Sequence, residues 1–213
     1  MPNLNRVTPA VLLLSFILPC TCGPAPLIAQ DTRDEFVLDA DNAGVQVFVR
    51  QETNGEMSVR VMTRARTQVQ TVRAILDDAA GYPNWVHRCD RAYIVDGGRA
   101  DDYIFVSGID MPFPFGDKEV VARVTQHVDD RGVFTRTIAG SPEAIPPTDG
   151  RDRPTVYDGE WVVSPQTDGT VLLQVTVRTD AGSGLPNWLR REIMTGGPVK
   201  TVTNLRRMLE AAG

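Results

Sequence analysis

The chain has 213 residues, of which 42% are hydrophobic and 23% charged, and a formal net charge of −5. That length suits one domain with at most an extension, and the composition excludes disordered and fibrous classes. A net-acidic chain is a poor match for nucleic acid as its main partner.

The N-terminus differs from the rest. Arg6 is the only charged side chain before Asp31, and residues 10–18 form an apolar run broken only by Ser15. Such a run is too short for ~30 Å of hydrocarbon, which needs ~20 residues. A basic start, a short apolar run and small residues predict a secretory signal over residues 1–29, cut after Ala29. The mature domain would then cover residues 30–213 and be exported, periplasmic or extracellular. A buried N-terminal helix is the alternative. Cys20 raises lipid attachment, and Pro19 directly before it argues against that. Cleavage leaves Cys89 as the remaining cysteine and a net charge of −6. No internal disulfide is then available, and Cys89 reads as a small buried hydrophobe rather than a nucleophile.

Residues 31–42 are acidic and weakly patterned. Residues 45–50 and 58–64 alternate with period two around a turn-like stretch at 52–56, which predicts a hairpin. Over 67–78 the period becomes helical, with Val69, Val72, Ile75 and Leu76 on one face and Gly81 as the stop. Strands are expected near 92–95, 103–109, 120–128, 133–139, 156–163 and 171–179. In the last, Val171, Leu173, Val175 and Val177 point one way, while Gln174, Thr176 and Arg178 point the other. The sheet is therefore expected to be covered on one face only.

Residues 140–154 hold Pro142, Pro146, Pro147 and Pro154 and cannot form a regular strand. They read equally as a gate over a binding site or as a plain surface loop. From Pro186 to about residue 211 the helical period returns, with Val199, Val202, Leu205 and Leu209 in one stripe. Gly196, Gly197 and Pro198 predict a kink there, or two helices in tandem. The element order predicts an α+β architecture in which a bent antiparallel sheet wraps a long C-terminal helix.

GYPNWVHR (residues 81–88) and GLPNWLRR (residues 184–191) share one pattern. Their flanks do not match, since one precedes a strand and the other opens the terminal helix, so this is not a repeat. Each reads as a corner in which Gly frees the backbone, Pro starts a helical turn and Trp anchors it.

The segment from Val72 to Trp85 resembles the first helix and corner of START lipid-transfer domains. Met111 to Val120 is similar to their Pro-aromatic-Pro segment before a central strand, Asp158 to Trp161 to their Gly-x-Trp strand, and Gly184 to Arg206 to their terminal helix. The stretch from Phe36 to Phe48 is similar to the family's opening. These landmarks stand in family order over about residues 33–209. Lys118-Glu119 departs from the usual Arg-Asp, which would weaken bidentate recognition by that arginine.

The resemblance implies a helix-grip fold that encloses an apolar cavity and a monomer that binds, and transfers, a lipid or other hydrophobic small molecule. The implied ligand-binding residues are Trp85, Tyr103, Phe105, Phe113, Phe115, Trp161, Leu173, Val175, Val177, Trp188, Leu189 and Ile193. No cofactor or metal is implied. Residues 186–213 carry five basic and two acidic side chains in an otherwise acidic chain. That asymmetry fits transient contact with an anionic membrane surface through the C-terminal helix.

Catalytic signals are thin. Neither His87 nor His127 has a Cys, Asp or Glu at ligand or triad spacing in the sequence. The pairs Asp77-Asp78, Asp101-Asp102 and Asp129-Asp130 read as solvated turns. Two alternatives to a carrier remain. One is an aromatase/cyclase-type enzyme of the wider superfamily, using Arg136, Asp158 and Glu160 from central strands, which otherwise read as the wet face of the sheet. The other is an interaction module without a ligand.

Overall fold

A computed structural model describes residues 35–52, 56–180 and 184–211. The predicted signal at residues 1–29 lies outside them.

Among the described residues nine antiparallel strands make one sheet. They are β1 (Val37–Asn42), β2 (Val45–Gln51), β3 (Met57–Ala65), β4 (Cys89–Ile94), β5 (Asp102–Ile109), β6 (Lys118–Val128), β7 (Phe134–Gly140), β8 (Tyr157–Pro165) and β9 (Val171–Thr179). Their spatial order is β1-β2-β3-β9-β8-β7-β6-β5-β4. The last strand thus closes onto the first hairpin. Helix α1 (Val69–Asp77) and a 3-10 turn (Ala79–Asn84) carry the chain from β3 across to the far edge. The predicted α+β helix-grip architecture is the one observed.

Register puts the apolar residues on one face. Val59, Val61 and Ala65 of β3 pair with Val177, Val175 and Val171 of β9, and Trp161 and Val163 of β8 pair with Val175 and Leu173. On the same side Val72 and Leu76 of α1 and Val202, Leu205 and Leu209 of the terminal helix are buried. Two helices therefore cover this face, not the terminal helix alone.

Strand β1 has no counterpart among the predicted strands. All but one of its residues are exposed, and its register shifts between Leu38 and Ala40. An edge strand of this kind carries no alternation for a sequence pattern to detect. Its turn to β2 places both Ala43 (φ 51°) and Gly44 (φ 80°) in the left-handed region, the backbone that a two-residue hairpin requires.

The expected interruption of the terminal helix takes a specific form. Helix α2 (Asn187–Arg191) passes through a π-helical turn (Glu192–Gly196) into α3 (Gly197–Ala211). The Gly197 N–H donates to the Glu192 carbonyl, one residue further back than in an α-helix. Pro198 has no N–H to give and its ring would strike the carbonyl four residues before it, so the wider turn accommodates the proline without ending the helix.

Candidate functional site

Between the sheet and the terminal helix lies a cavity of about 180 Å³. The first corner forms one wall. The 3-10 turn holds Pro83 and is capped by the Asp78 carboxylate, which accepts from the Gly81 N–H at 3.2 Å. Tyr82 and Trp85 project from this turn with ring centroids 4.9 Å apart, and Trp85 meets Trp161 of β8 edge-on at 6.3 Å. Tyr82 also packs on Phe105 of β5 at 5.1 Å.

Hydrogen bonds fasten this corner to the terminal helix. Asn204 Nδ2 donates to the Trp85 carbonyl at 3.0 Å, and the His87 backbone N–H donates to Thr201 Oγ1 at 3.0 Å. His87 Nε2 lies 2.9 Å from Glu192 Oε1, to which Lys200 Nζ also donates. The hydrogen bond from Lys200, helped by that with His87, holds the Glu192 carboxyl below its usual range. His87 therefore has an acidic partner that no local spacing could reveal, because Glu192 is 105 residues away. His127 is exposed on the outer face.

The sequence-predicted wall residues divide into three groups. Trp85, Tyr103, Phe105, Trp161, Val175, Val177 and Ile193 line the cavity. Leu173 and Leu189 are fully buried in packing beside it rather than on its wall. Phe113, Phe115 and Trp188 are corrections. Phe113 and Trp188 are 97% and 61% exposed, and Phe115, only partly buried, lies in the same β5–β6 loop as Phe113 and also off the wall. Sequence reading missed Tyr82, Val86, His87, Arg88, Ile138 and Tyr157, all on the wall. The alternation through Tyr157, Gly159 and Trp161 could have found Tyr157. The corner residues have no such period.

Arg136, Asp158 and Glu160 do not form one cluster. Arg136 pairs in register with Trp161 and faces inward, 2% exposed. It donates to Gln126 Oε1 at 2.9 and 2.6 Å, to Tyr82 Oη at 3.2 Å, to the Leu76 carbonyl and to Asp77. These bonds tie the C-terminal end of α1 to β6 and β7. Asp158 and Glu160 alternate with the inward Gly159 and Trp161 and therefore lie on the outer face, where Asp158 pairs with Arg178. Burial pushes the Tyr82 phenol well above its ordinary value.

Residues 140–154 contribute nothing to the cavity wall. Arg153 pins this loop by donating to the carbonyls of Pro142, Ile145 and Pro146 while pairing with Glu119 of β6. The structure favours the surface-loop reading over the gate. Among the described residues no group of three His, Cys, Asp or Glu side chains could hold a metal ion.

Among solved structures, a STAR-related lipid transfer protein from Xanthomonas axonopodis superposes with a TM-score of 0.71. The match covers 83% of this chain and 99% of that one at 23% identity. This is the START fold. Human StAR-related lipid transfer protein 5 shares the fold at a TM-score of 0.71 and 13% identity, over 83% of this chain and 87% of its own. An uncharacterized protein of Pseudomonas aeruginosa is 28% identical over 178 residues, 83% of this chain and 88% of that protein. No family model matches the chain. Within the START fold the two corners have different fates. Trp85 is buried on the cavity wall, and Trp188 stands in solvent at the start of the terminal helix.

Proposed function

We propose that this protein binds a lipid or other hydrophobic small molecule in the cavity beneath its terminal helix. The observation that carries the proposal is the cavity itself. Its lining is mostly apolar, with Trp85, Phe105, Ile138, Trp161, Val175 and Val177, so a hydrophobic occupant gains about 25 cal/mol for each Å² of apolar surface it removes from water there. The solved START-fold proteins are described as lipid-transfer proteins, which supports the same reading. The cyclase alternative gains nothing here, because Asp158 and Glu160 point away from the cavity and Arg136 is already bound.

Solvent extraction of the purified protein followed by mass spectrometry should recover a hydrophobic compound near one per chain. Replacing Ile138 with tryptophan fills the cavity from β7 and should sharply reduce that yield while the protein stays folded. Equal recovery from the parent and from Ile138→Trp would place the compound elsewhere and overturn the proposal.

Transfer would need a membrane-facing element. Exposed Trp188, with Arg190 and Arg191 in the same helical turn, is the element proposed for transient contact with anionic headgroups. The signal-like residues 1–29 support export of a mature chain, residues 30–213, that acts outside the cytoplasm. N-terminal sequencing should find Gln30 or a residue next to it, and an intact Met1 on the soluble protein would overturn export.

A further inference from the structure

Three tyrosines line the cavity, and they differ in what holds their hydroxyls. Tyr82 Oη donates to the Leu76 carbonyl at 2.8 Å and accepts from Arg136 at 3.2 Å. The hydroxyls of Tyr103 and Tyr157 make no hydrogen bond among the described residues. Packing does not seal them in either, since the fully enclosed side-chain atoms without a partner are the Nε of Arg88 and of Arg91. Both hydroxyls therefore keep open surface.

The strands aim these two phenols at the void. Tyr103 pairs with Val124 of β6 and is only 6% exposed. Tyr157 alternates with the outward Asp158 and shares its side of β8 with Gly159 and Trp161, both on the wall. Burial raises both phenols, so the surface they keep is that of an enclosed space rather than of bulk water. Buried hydroxyls are nearly always bonded, which leaves the contents of the cavity to supply the partner.

The surroundings of the two differ. The charges of Arg136 and Asp77 reach Tyr103. The group that acts on Tyr157 is the Cys89 thiol, which burial keeps protonated and whose Sγ lies 3.6 Å from Ser107 Oγ. Across the sheet from Tyr157 stand Gly140 and then Ala122 in register with Phe105, two small residues that leave room there. The cations of the wall are turned elsewhere. Arg136 pairs with Asp77, His87 meets Glu192, and Arg88 Nη1 donates outward to the Asp110 carbonyl.

We propose that Tyr157 is a hydrogen-bond donor to the ligand, and that the ligand is a neutral hydrophobe bearing an acceptor oxygen, as in a ketone, an ester or an alcohol. The inference rests on the ligand-binding reading above and names its ligand class. A protonated phenol offers its O–H to a carbonyl or hydroxyl oxygen. A carboxylate in the same place would lose its hydration with no cation to replace it.

The test measures valerophenone, pentylbenzene and 5-phenylpentanoate by calorimetry at neutral pH on the parent, on Tyr157→Phe and on Tyr103→Phe. The first two compounds share a skeleton and differ by one carbonyl oxygen, and each variant keeps its ring. Tyr157→Phe should weaken valerophenone about fivefold or more. It should hold pentylbenzene as tightly as the parent or tighter, which also reports an intact cavity. Tyr103→Phe should keep the parent's ratio of ketone to hydrocarbon, and the anion should bind the parent more weakly than the ketone. Four results would each overturn the donor and leave the cavity reading standing: a ketone affinity untouched in Tyr157→Phe, an equal loss there for ketone and hydrocarbon, an equal or larger ketone loss in Tyr103→Phe, or an anion that binds tighter than the ketone. A parent that binds none of the three would remove both.

Discussion

Replacing Glu119 with glutamine should lower stability by about 3–5 kcal/mol, the usual cost of breaking a buried ion pair from one side. Glu119 is fully buried on β6. Its Oε1 accepts from Arg153 Nε at 3.0 Å and Nη2 at 2.7 Å, and its Oε2 accepts from Thr148 Oγ1 at 2.9 Å and from Arg91. The substitution leaves two guanidinium groups facing each other without an anion. Because Arg153 also holds the carbonyls of Pro142, Ile145 and Pro146, the loop over residues 140–154 should loosen at the same time.

Acid should erase the difference. Burial alone would raise the Glu119 carboxyl, but hydrogen bonds from Arg153, Thr148 and Arg91 together hold it below its ordinary 4.5. The stabilisation is therefore present above the unfolded value and is lost as pH falls through the lowered folded value. The curves of the parent and of Glu119→Gln should converge below about pH 4.5. Urea melts across that range measure it. The exposed pair Arg123–Asp102 serves as a control, since cutting it should leave no measurable loss. A loss below about 1 kcal/mol in Glu119→Gln would mean that the cluster is solvated rather than buried.

The same residue shows where the sequence was legible and where it was not. Strands β2, β3 and β5 to β9 could be read because period-two alternation is the direct imprint of a sheet with one dry face. Alternation also fixed the inward side of β9. It could place Glu160 outward, opposite Trp161, but could not announce Arg136 as inward, because an arginine reads as wet and its side is set by its pairing with Trp161 on the next strand. Lys118-Glu119 read as a weakened version of an Arg-Asp pair. The structure supplies the arginine from residue 153 in a proline-rich loop, 34 positions away. The cavity wall made by Tyr82, His87 and Arg88 was unreadable for a related reason. It lies in a 3-10 turn and the irregular residues that follow it, as far as the left-handed Arg88, and its orientation comes from Thr201 and Asn204 on α3.

Two tryptophans in near-identical corners should answer mutation in opposite ways. Trp85 is 2% exposed, packed edge-on against Tyr82 and Trp161, and its carbonyl accepts from Asn204. Trp85→Ala should cost about 3–5 kcal/mol, because a large buried aromatic is deleted where the wall already borders a void and cannot collapse onto it. Trp188 is 61% exposed, and the buried residue of its turn is Leu189. Trp188→Ala should therefore change stability by less than about 0.5 kcal/mol. Its effect should fall on exchange instead. An exposed indole next to Arg191 is suited to the interface between headgroups and acyl chains, where the ring is apolar and its N–H stays wet. Trp188→Ala should slow uptake of a fluorescent lipid from anionic vesicles several-fold. Arg191→Glu should slow it further at low salt and hardly at all at high salt, where the parent's own electrostatic advantage is screened. Uptake unchanged by both substitutions would remove this end of the helix from the membrane contact and leave Trp188 as an exposed aromatic without a role in transfer.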